Sequence, residues 1–435
     1  MQSLRIVHLR NLTDRDRAIL FERRQSLDDI MLGVRSIVRK VRAGGDAALR
    51  RYTKRFDGAR LADLEVSQEE FAVARDAVDP AVRRALEAEI EAVRVFHASQ
   101  KLGEKPMETA PGVRVWREWR PIERVGLYVP GGRGAYPSSL VMLGVPACLA
   151  GCREIVLCTP PNTGGSVFPV TLLAAQLVGV RRVFKLGGAQ AIAAMSYGTE
   201  SVPRVDKIFG AGNAYVTAAK LLVFPEVALD LPAGPSELLI IADERADPVW
   251  VASDLLSDAE HGPDSPAVLV ITSLERAKLV AFEVERQLAE LPRQDVARMA
   301  LESRGLIVVV DTLGDAATLA NEYAPEHLEI MTRDPSALLP HISNAGSVFL
   351  GSYAPNAAGD YASGTNHVLP TAGYARTFGP VSVESFGRMI QCQEISREGL
   401  ASLRTTVEQL ARAESLEGHA RSVGARFEEG DYNTA

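Results

Sequence analysis

Residues 154–185 read Glu154-Ile-Val-Leu-Cys-Thr-Pro-Pro161, then Pro169-Val-Thr-Leu-Leu-Ala-Ala-Gln-Leu177, then Arg182-Val-Phe-Lys185. A short apolar run, a cluster of turn residues, a longer apolar segment and a second short run give strand, helix, strand. Neither short run alternates apolar with polar residues. Strands of this kind have both faces covered, as in a parallel sheet flanked by helices. Working outward, the alternation continues: strands at Arg124–Val129, Glu154–Cys158, Arg182–Lys185 and Lys207–Phe209, helices at Ser139–Ala150, Pro169–Leu177 and Gln190–Ser196. From Pro121 to Ser236 only 15 of 116 residues are charged, about half the chain's 24%. This is the doubly wound α/β pattern. A second set follows, with strands at Leu238–Ala242, Val268–Thr272, Leu306–Val310, Leu328–Met331 and Ser347–Leu350. Helices at Pro248–Asp258, Leu274–Leu291 and Ala316–Asn321 separate them.

The flanks read differently. Leu27 to Gln100 is helical, and the run Pro80–His97 carries Val82, Leu86, Ile90, Val93 and Phe96 on one face. The last fifty residues also read as helical, with Leu403, Val407 and Leu410 as a stripe. Neither end is rich enough to bury a core alone, so each is expected to dock on the α/β bodies or on a partner subunit. No internal sequence repeat is visible.

A 435-residue chain with 46% hydrophobic residues and a net charge of -7 has the balance of a globular protein. That charge argues against nucleic acid, which needs clustered Lys and Arg. The longest uncharged stretch, Ile155 to Val180, is broken by Pro160-Pro161, Gly164-Gly165 and Pro169, which excludes a membrane helix. Met1 to Arg17 lacks the apolar core of a signal peptide, and four cysteines in apolar settings make no disulfide framework. The cytoplasm is the expected compartment. Cys148 and Cys152, expected on one helix face, read as ordinary buried residues.

The residues with chemistry gather in a few places. Asp258 and His261 lie three apart at a helix end, so one carboxylate and one imidazole can share an ion; equally, His261 can simply suit the helix's negative pole. Glu326-His327 stands just ahead of a strand, a pair suited to general acid–base work or to a plain surface loop. Gly359-Asp360-Tyr361 through Gly364-Thr-Asn-His367 packs ligand-type residues into one glycine-rich loop, where function outweighs mere connection. Glu414 and His419 by themselves read as a solvated helix face. His8 and His341 sit among apolar residues with no acidic neighbour, and His97 is ambiguous. Two glycine turns after strands, Lys185-Leu-Gly-Gly-Ala-Gln190 and Phe209-Gly-Ala-Gly-Asn213, lack the full G-x-G-x-x-G fingerprint. They remain sensible ligand positions at the carboxyl ends of strands.

Taken together, the chain resembles the histidinol dehydrogenase family nearly end to end. The resemblance is carried by Ala48-Leu-Arg50 with Arg55-Phe-Asp57, Val125-Gly-Leu-Tyr-Val-Pro-Gly-Gly132, Tyr136-Pro-Ser-Ser139 and Gly187-Gly-Ala-Gln190. It continues through Val205-Asp-Lys-Ile208, Pro232-Ala-Gly-Pro-Ser-Glu237, Ala259-Glu-His-Gly262, Ala324-Pro-Glu-His-Leu328, Gly359–Thr371 and Glu414 to His419. The resemblance implies two Rossmann-like α/β bodies with small helical terminal arms. Residues 1–24 form one arm, 25–123 with 236–380 the metal-carrying body, 124–235 the NAD-binding body and 381–435 the other arm. It implies Zn2+ held by Asp258, His261, Asp360 and His419, and Glu326 and His327 as catalytic residues. Ser236, His367 and Glu414 contact substrate beside the zinc ligands and His327; Tyr128, Gln190 and Asn213 contact NAD. It implies oxidation of L-histidinol through the aldehyde to L-histidine with two NAD, the last steps of histidine biosynthesis. The implied assembly is a homodimer in which the C-terminal arm completes the neighbour's site.

Several positions depart from the family pattern. Asp258 stands where Gln is usual, Asn356 replaces a Glu, Ala211 a Pro, and Gly387-Arg388 a bulkier residue and Lys. Asp258 and Asn356 fall near the implied metal, which keeps open a relative that oxidises a different small polar alcohol. A folded metal- or NAD-binding protein without turnover fits poorly with retention of both Glu326 and His327.

Overall fold

The computed structural model describes residues 4–24, 26–100, 104–131, 134–231 and 234–428. Gly132, Pro232 and Ala233 of the motifs above lie outside them. The strands are β1 (Arg5–His8), β2 (Met107–Ala110), β3 (Val113–Pro121), β4 (Arg124–Tyr128), β5 (Glu154–Thr159), β6 (Arg182–Lys185), β7 (Lys207–Phe209) and β8 (Ala228–Leu229). They continue as β9 (Leu238–Ala242), β10 (Ala267–Ile271), β11 (Leu306–Val309), β12 (His327–Met331), β13 (Ser347–Leu350) and β14 (Gly387–Ile395). The chain divides into two compact units, one of residues 1–100 and 122–386, the other of residues 101–121 and 387–435.

The larger unit holds two parallel sheets. One runs β6-β5-β4-β7-β8 and the other β1-β11-β10-β9-β12-β13. Numbered from its own first strand, each has the order 3-2-1-4-5, with β1 added at one edge of the second. The sequence shows no repeat, yet the topology is the same twice. Every residue of β9, β10, β11 and β12 is buried, which is why the first three read as unbroken apolar runs, while β12 buries His327 and Glu329 among its apolar residues. Each fully buried Leu, Ile or Val side chain contributes about 1.5–3 kcal/mol.

Three expectations need correction. Arg5–His8, expected within a helical terminal arm, is instead a strand that docks on the second sheet in register with β11. The helix Asp28–Phe56 packs with the first sheet: its Val34, Ile37, Val38, Leu49 and Tyr52 share a core with Tyr128, Phe184 and Ile208. The last fifty residues begin with a strand, β14, which pairs antiparallel with β3 along nine residues. That sheet, β14-β3-β2, and the helices Arg397–Ala413 and Glu417–Gly424 make up the smaller unit.

In the helix Pro80–Ala98, Val82 and Phe96 are exposed, and the buried face is Leu86, Glu89, Ile90, Val93 and His97. The helix holding Cys148 ends at Ala150, so Cys152 lies beyond it, and the two thiols instead face the carbonyls of Val178 and Phe386. Among the described residues no helix is long and apolar enough to cross a membrane.

Candidate active site

Two sets of candidate residues lie on opposite kinds of sheet edge. The first set surrounds the carboxyl ends of the first sheet. Tyr128 ends β4, and its buried hydroxyl accepts the N–H of Gly188, 3.0 Å away. Burial raises the Tyr128 phenol to about 12. Gln190 is buried in the first turn of the helix Gly188–Tyr197, and Asn213 caps the helix Ala214–Val223 by accepting from Tyr215 and Val216. Gly210 adopts φ +112°, and a Cβ there would stand 2.0 Å from the Tyr128 carbonyl oxygen. The crevice between β4 and β7, where the strand order reverses, is therefore built from turns that approach closer than side chains allow. That is where open α/β sheets hold ligands.

The second set lies at the amino ends of β9 and β12. The helix Pro248–Ala259 leaves the carboxyl end of β9 and runs back, which brings Asp258 in its last turn, and His261 just past its C-cap, to the same edge as Glu326 and His327. Asp360 comes from a short helix after β13, Asn356–Tyr361, where the sequence predicts a loop, and His367 from the loop that follows it. The glycine at 359 has no room for a Cβ, which would meet the Phe349 ring at 2.6 Å. His97, ambiguous in sequence, supports this loop: its Nε2 contacts the Asn366 amide at 3.3 Å, and its Nδ1 contacts Gln100 at 2.8 Å.

Distances within the cluster are short. His327 Nδ1 lies 3.8 Å from both Asp258 and Glu326 carboxylate oxygens, and its Nε2 lies 3.8 Å from Asp360. His367 Nδ1 lies 3.9 Å from the Asp360 carboxylate. Three ring nitrogens face backbone carbonyls: Nδ1 of His327 toward Glu237 at 3.2 Å, of His261 toward Asp258 at 3.2 Å, and of His367 toward Asp360 at 2.9 Å. A carbonyl only accepts, so each Nδ1 carries the proton and each Nε2 presents a lone pair. This is the arrangement that orients imidazole for a metal or a proton.

Electrostatics sharpen the roles. Burial holds the His327 imidazole down at about 4, so it is a neutral base at pH 7. Burial, with the negative charges of Asp258 and Glu237, pushes Glu326 well up. Burial, with Asp360 and Glu237 nearby, does the same to Asp258, which is fully buried with both carboxylate oxygens unpartnered. A doubly orphaned carboxyl at the negative pole of a helix, beside a second carboxylate and a free imidazole nitrogen, suits a divalent cation. The donor chemistry thus fits zinc, although among the described residues no three such side chains already form a closed ligand group.

The remaining candidates are placed as follows. Ser236 is half-buried immediately before Glu237, while in the smaller unit Glu414, capping the C-terminus of the helix Arg397–Ala413, and His419, on the helix Glu417–Gly424, are exposed. Asn356 is buried, and its Oδ1 accepts from the Ser257 hydroxyl at 3.0 Å, so the departures at 356 and 258 are near neighbours.

Two residues escaped the sequence reading. Glu237 accepts the N–H of Glu326 at 3.3 Å and that of Ala372 at 3.1 Å, while its own N–H donates to the Glu326 carboxyl at 3.0 Å. Arg23, buried over the Tyr323 ring, pairs with Glu237 at 2.5 Å. The only signal in sequence was an acid directly ahead of an all-apolar strand. Arg23→Ala leaves the Glu237 carboxylate buried and alone, so a loss of about 3–5 kcal/mol is expected. Denaturant titration checks this; an unchanged midpoint contradicts the role of the pair.

Comparison with known proteins covers nearly the whole chain. Residues 21–427 match the family described as histidinol dehydrogenase. The histidinol dehydrogenase of Xanthomonas euvesicatoria pv. vesicatoria is 53% identical over 396 residues, covering 91% of this chain and 92% of that protein. That of Bacteroides fragilis is 50% identical over 397 residues, with the same coverage of each. The crystal structure of histidinol dehydrogenase from Elizabethkingia anophelis superposes with a TM-score of 0.94 at 41% identity, covering 98% of both chains.

Proposed function

Because this chain belongs to the histidinol dehydrogenase family, we propose that it oxidises L-histidinol through L-histidinal to L-histidine, using two NAD and a zinc ion. The observation that carries the reading is the buried pair at the start of β12. His327 is neutral with a free Nε2, and Glu326 stands beside it next to the orphaned Asp258.

Asp258, His261 and Asp360, with His419 of a second copy, would hold the metal, and zinc there would supply a fixed positive charge for orienting a polar substrate without redox chemistry. Tyr128, Gln190 and Asn213 hold NAD, which supplies the hydride acceptor for both oxidations. His327 Nε2 takes the hydroxyl proton in the first oxidation. Glu326, whose raised proton affinity makes it a strong base whenever it is ionised, then takes a proton from the water that adds to the aldehyde, and His327 again accepts the hydroxyl proton of the hydrate. Burial of both groups keeps bulk water from the aldehyde between the steps. Glu414 and His419 complete the site of a second copy in a homodimer. Their exposure on a unit that holds none of the other candidates supports that assignment.

A second reading keeps the chemistry and changes the alcohol, and the contact between Asn356 and Ser257, next to Asp258, favours it. NADH formation by zinc-loaded protein, given L-histidinol and a panel of small amino alcohols and diols, separates the two. Turnover of L-histidinol at about 1–10³ s⁻¹ is expected. Silence on L-histidinol with turnover of another alcohol supports the second reading.

A further inference from the structure

Asp57 ends the helix Asp28–Phe56, and nothing in the catalytic account uses it. Its surroundings are unfavourable to a carboxylate in two ways. It sits at the C-terminal cap of the helical stretch that follows the kink at Gly45, where the backbone already presents negative partial charge. Its Oδ2 is buried with no hydrogen-bond partner. Burial raises the carboxyl to about 6, so it is charged at neutral pH without compensation. Perturbed, unpaired groups of this kind concentrate at functional sites.

Its position gives that strain a purpose. The other oxygen, Oδ1, lies 3.4 Å from where a Cβ on Gly187 would stand, and the same Cβ would meet Pro160 at 2.6 Å. Pro160 follows β5, Gly187 follows β6, and the Asp57 charge is felt by the Tyr128 phenol at the end of β4. The carboxylate therefore lies over the carboxyl ends of three adjacent strands, beside a glycine turn that opens the helix Gly188–Tyr197. That helix start has no side-chain cap. A glycine turn at a helix start receives phosphate, and an acidic side chain beside it receives ribose hydroxyls.

We propose that Asp57 accepts the ribose hydroxyls of the dinucleotide and that its charge makes the crevice select NAD over NADP. This rests on the reading of the first sheet as the dinucleotide site. A 2′-phosphate brought to an unpaired carboxylate meets like charge and loses the hydroxyl donor, whereas a free 2′-hydroxyl fills the vacant acceptor.

Calorimetric binding of NAD and of NADP, with no alcohol present, tests this on wild type, Asp57→Asn and Asp57→Ala. Wild type is expected to prefer NAD. Each substitution is expected to weaken NAD about 10- to 100-fold and NADP less, so the preference shrinks by about tenfold or more. An unchanged preference in both variants overturns the inference while leaving the dinucleotide site intact. Failure of wild type to bind either dinucleotide overturns the site reading and the inference with it. Asp57→Asn also removes a buried, unpaired charge, so its unfolding midpoint at pH 8 is expected to hold or rise. A fall would mark Asp57 as structural and equally overturn the assignment.

Discussion

Glu326→Gln is expected to leave the first oxidation largely intact while conversion of aldehyde to acid falls about 10²- to 10⁴-fold. The structure makes this substitution unusually clean. The Glu326 carboxyl accepts the Glu237 N–H at 3.0 Å, and a glutamine amide oxygen accepts the same bond. The Glu326 N–H donates to Glu237 whatever its side chain. Entry into β12 is thus preserved, and only the ability to take a proton from water is lost. Supplying L-histidinol in a rapid-mixing experiment reads the first NADH, and supplying the aldehyde directly reads the second. Equal loss in both contradicts the role given to Glu326.

His327→Asn is expected to slow both oxidations by at least about 10²-fold, since one base serves each hydroxyl proton. The asparagine amide can still donate to the Glu237 carbonyl, which His327 Nδ1 meets at 3.2 Å, so the strand start survives. What disappears is the unpartnered Nε2. Asp258, His261 and Asp360 remain, so bound zinc measured on the same sample is expected to be unchanged. Loss of zinc together with activity would make His327 a metal ligand and leave the reaction without its assigned base.

The parts of the fold that were legible are those whose pattern is set by burial alone. Strands such as Leu238–Ala242, with no exposed residue, announce themselves, and their limits were read to within a residue or two. Strand β3, Val-Arg-Val-Trp-Arg-Glu-Trp-Arg-Pro, carries four charges, and its partner β14 is some 270 residues away, so no local pattern reveals the pairing. The repeated 3-2-1-4-5 order was invisible because topology depends on which segments are buried, not on which apolar residue does it.

The site was legible only through motif resemblance. Sequence proximity alone left Asp258–His261 and Glu326–His327 as separate, ambiguous pairs. The antiparallel return of the helix Pro248–Ala259 to the amino edge of the second sheet is what brings them within 3.8 Å. An acid ahead of an apolar strand was the one hint of Glu237, and nothing pointed to its pairing with Arg23, a contact between residues more than two hundred positions apart.

The measurement that tests the central claim most directly is the stoichiometry at the end point. L-Histidinol is given in limiting amount with excess NAD, and NADH, aldehyde and acid are all counted. Two NADH and one L-histidine per L-histidinol, with no free aldehyde, is the result this account predicts. One NADH per alcohol with aldehyde accumulating would contradict it, because Glu326 and His327 would then serve a single oxidation.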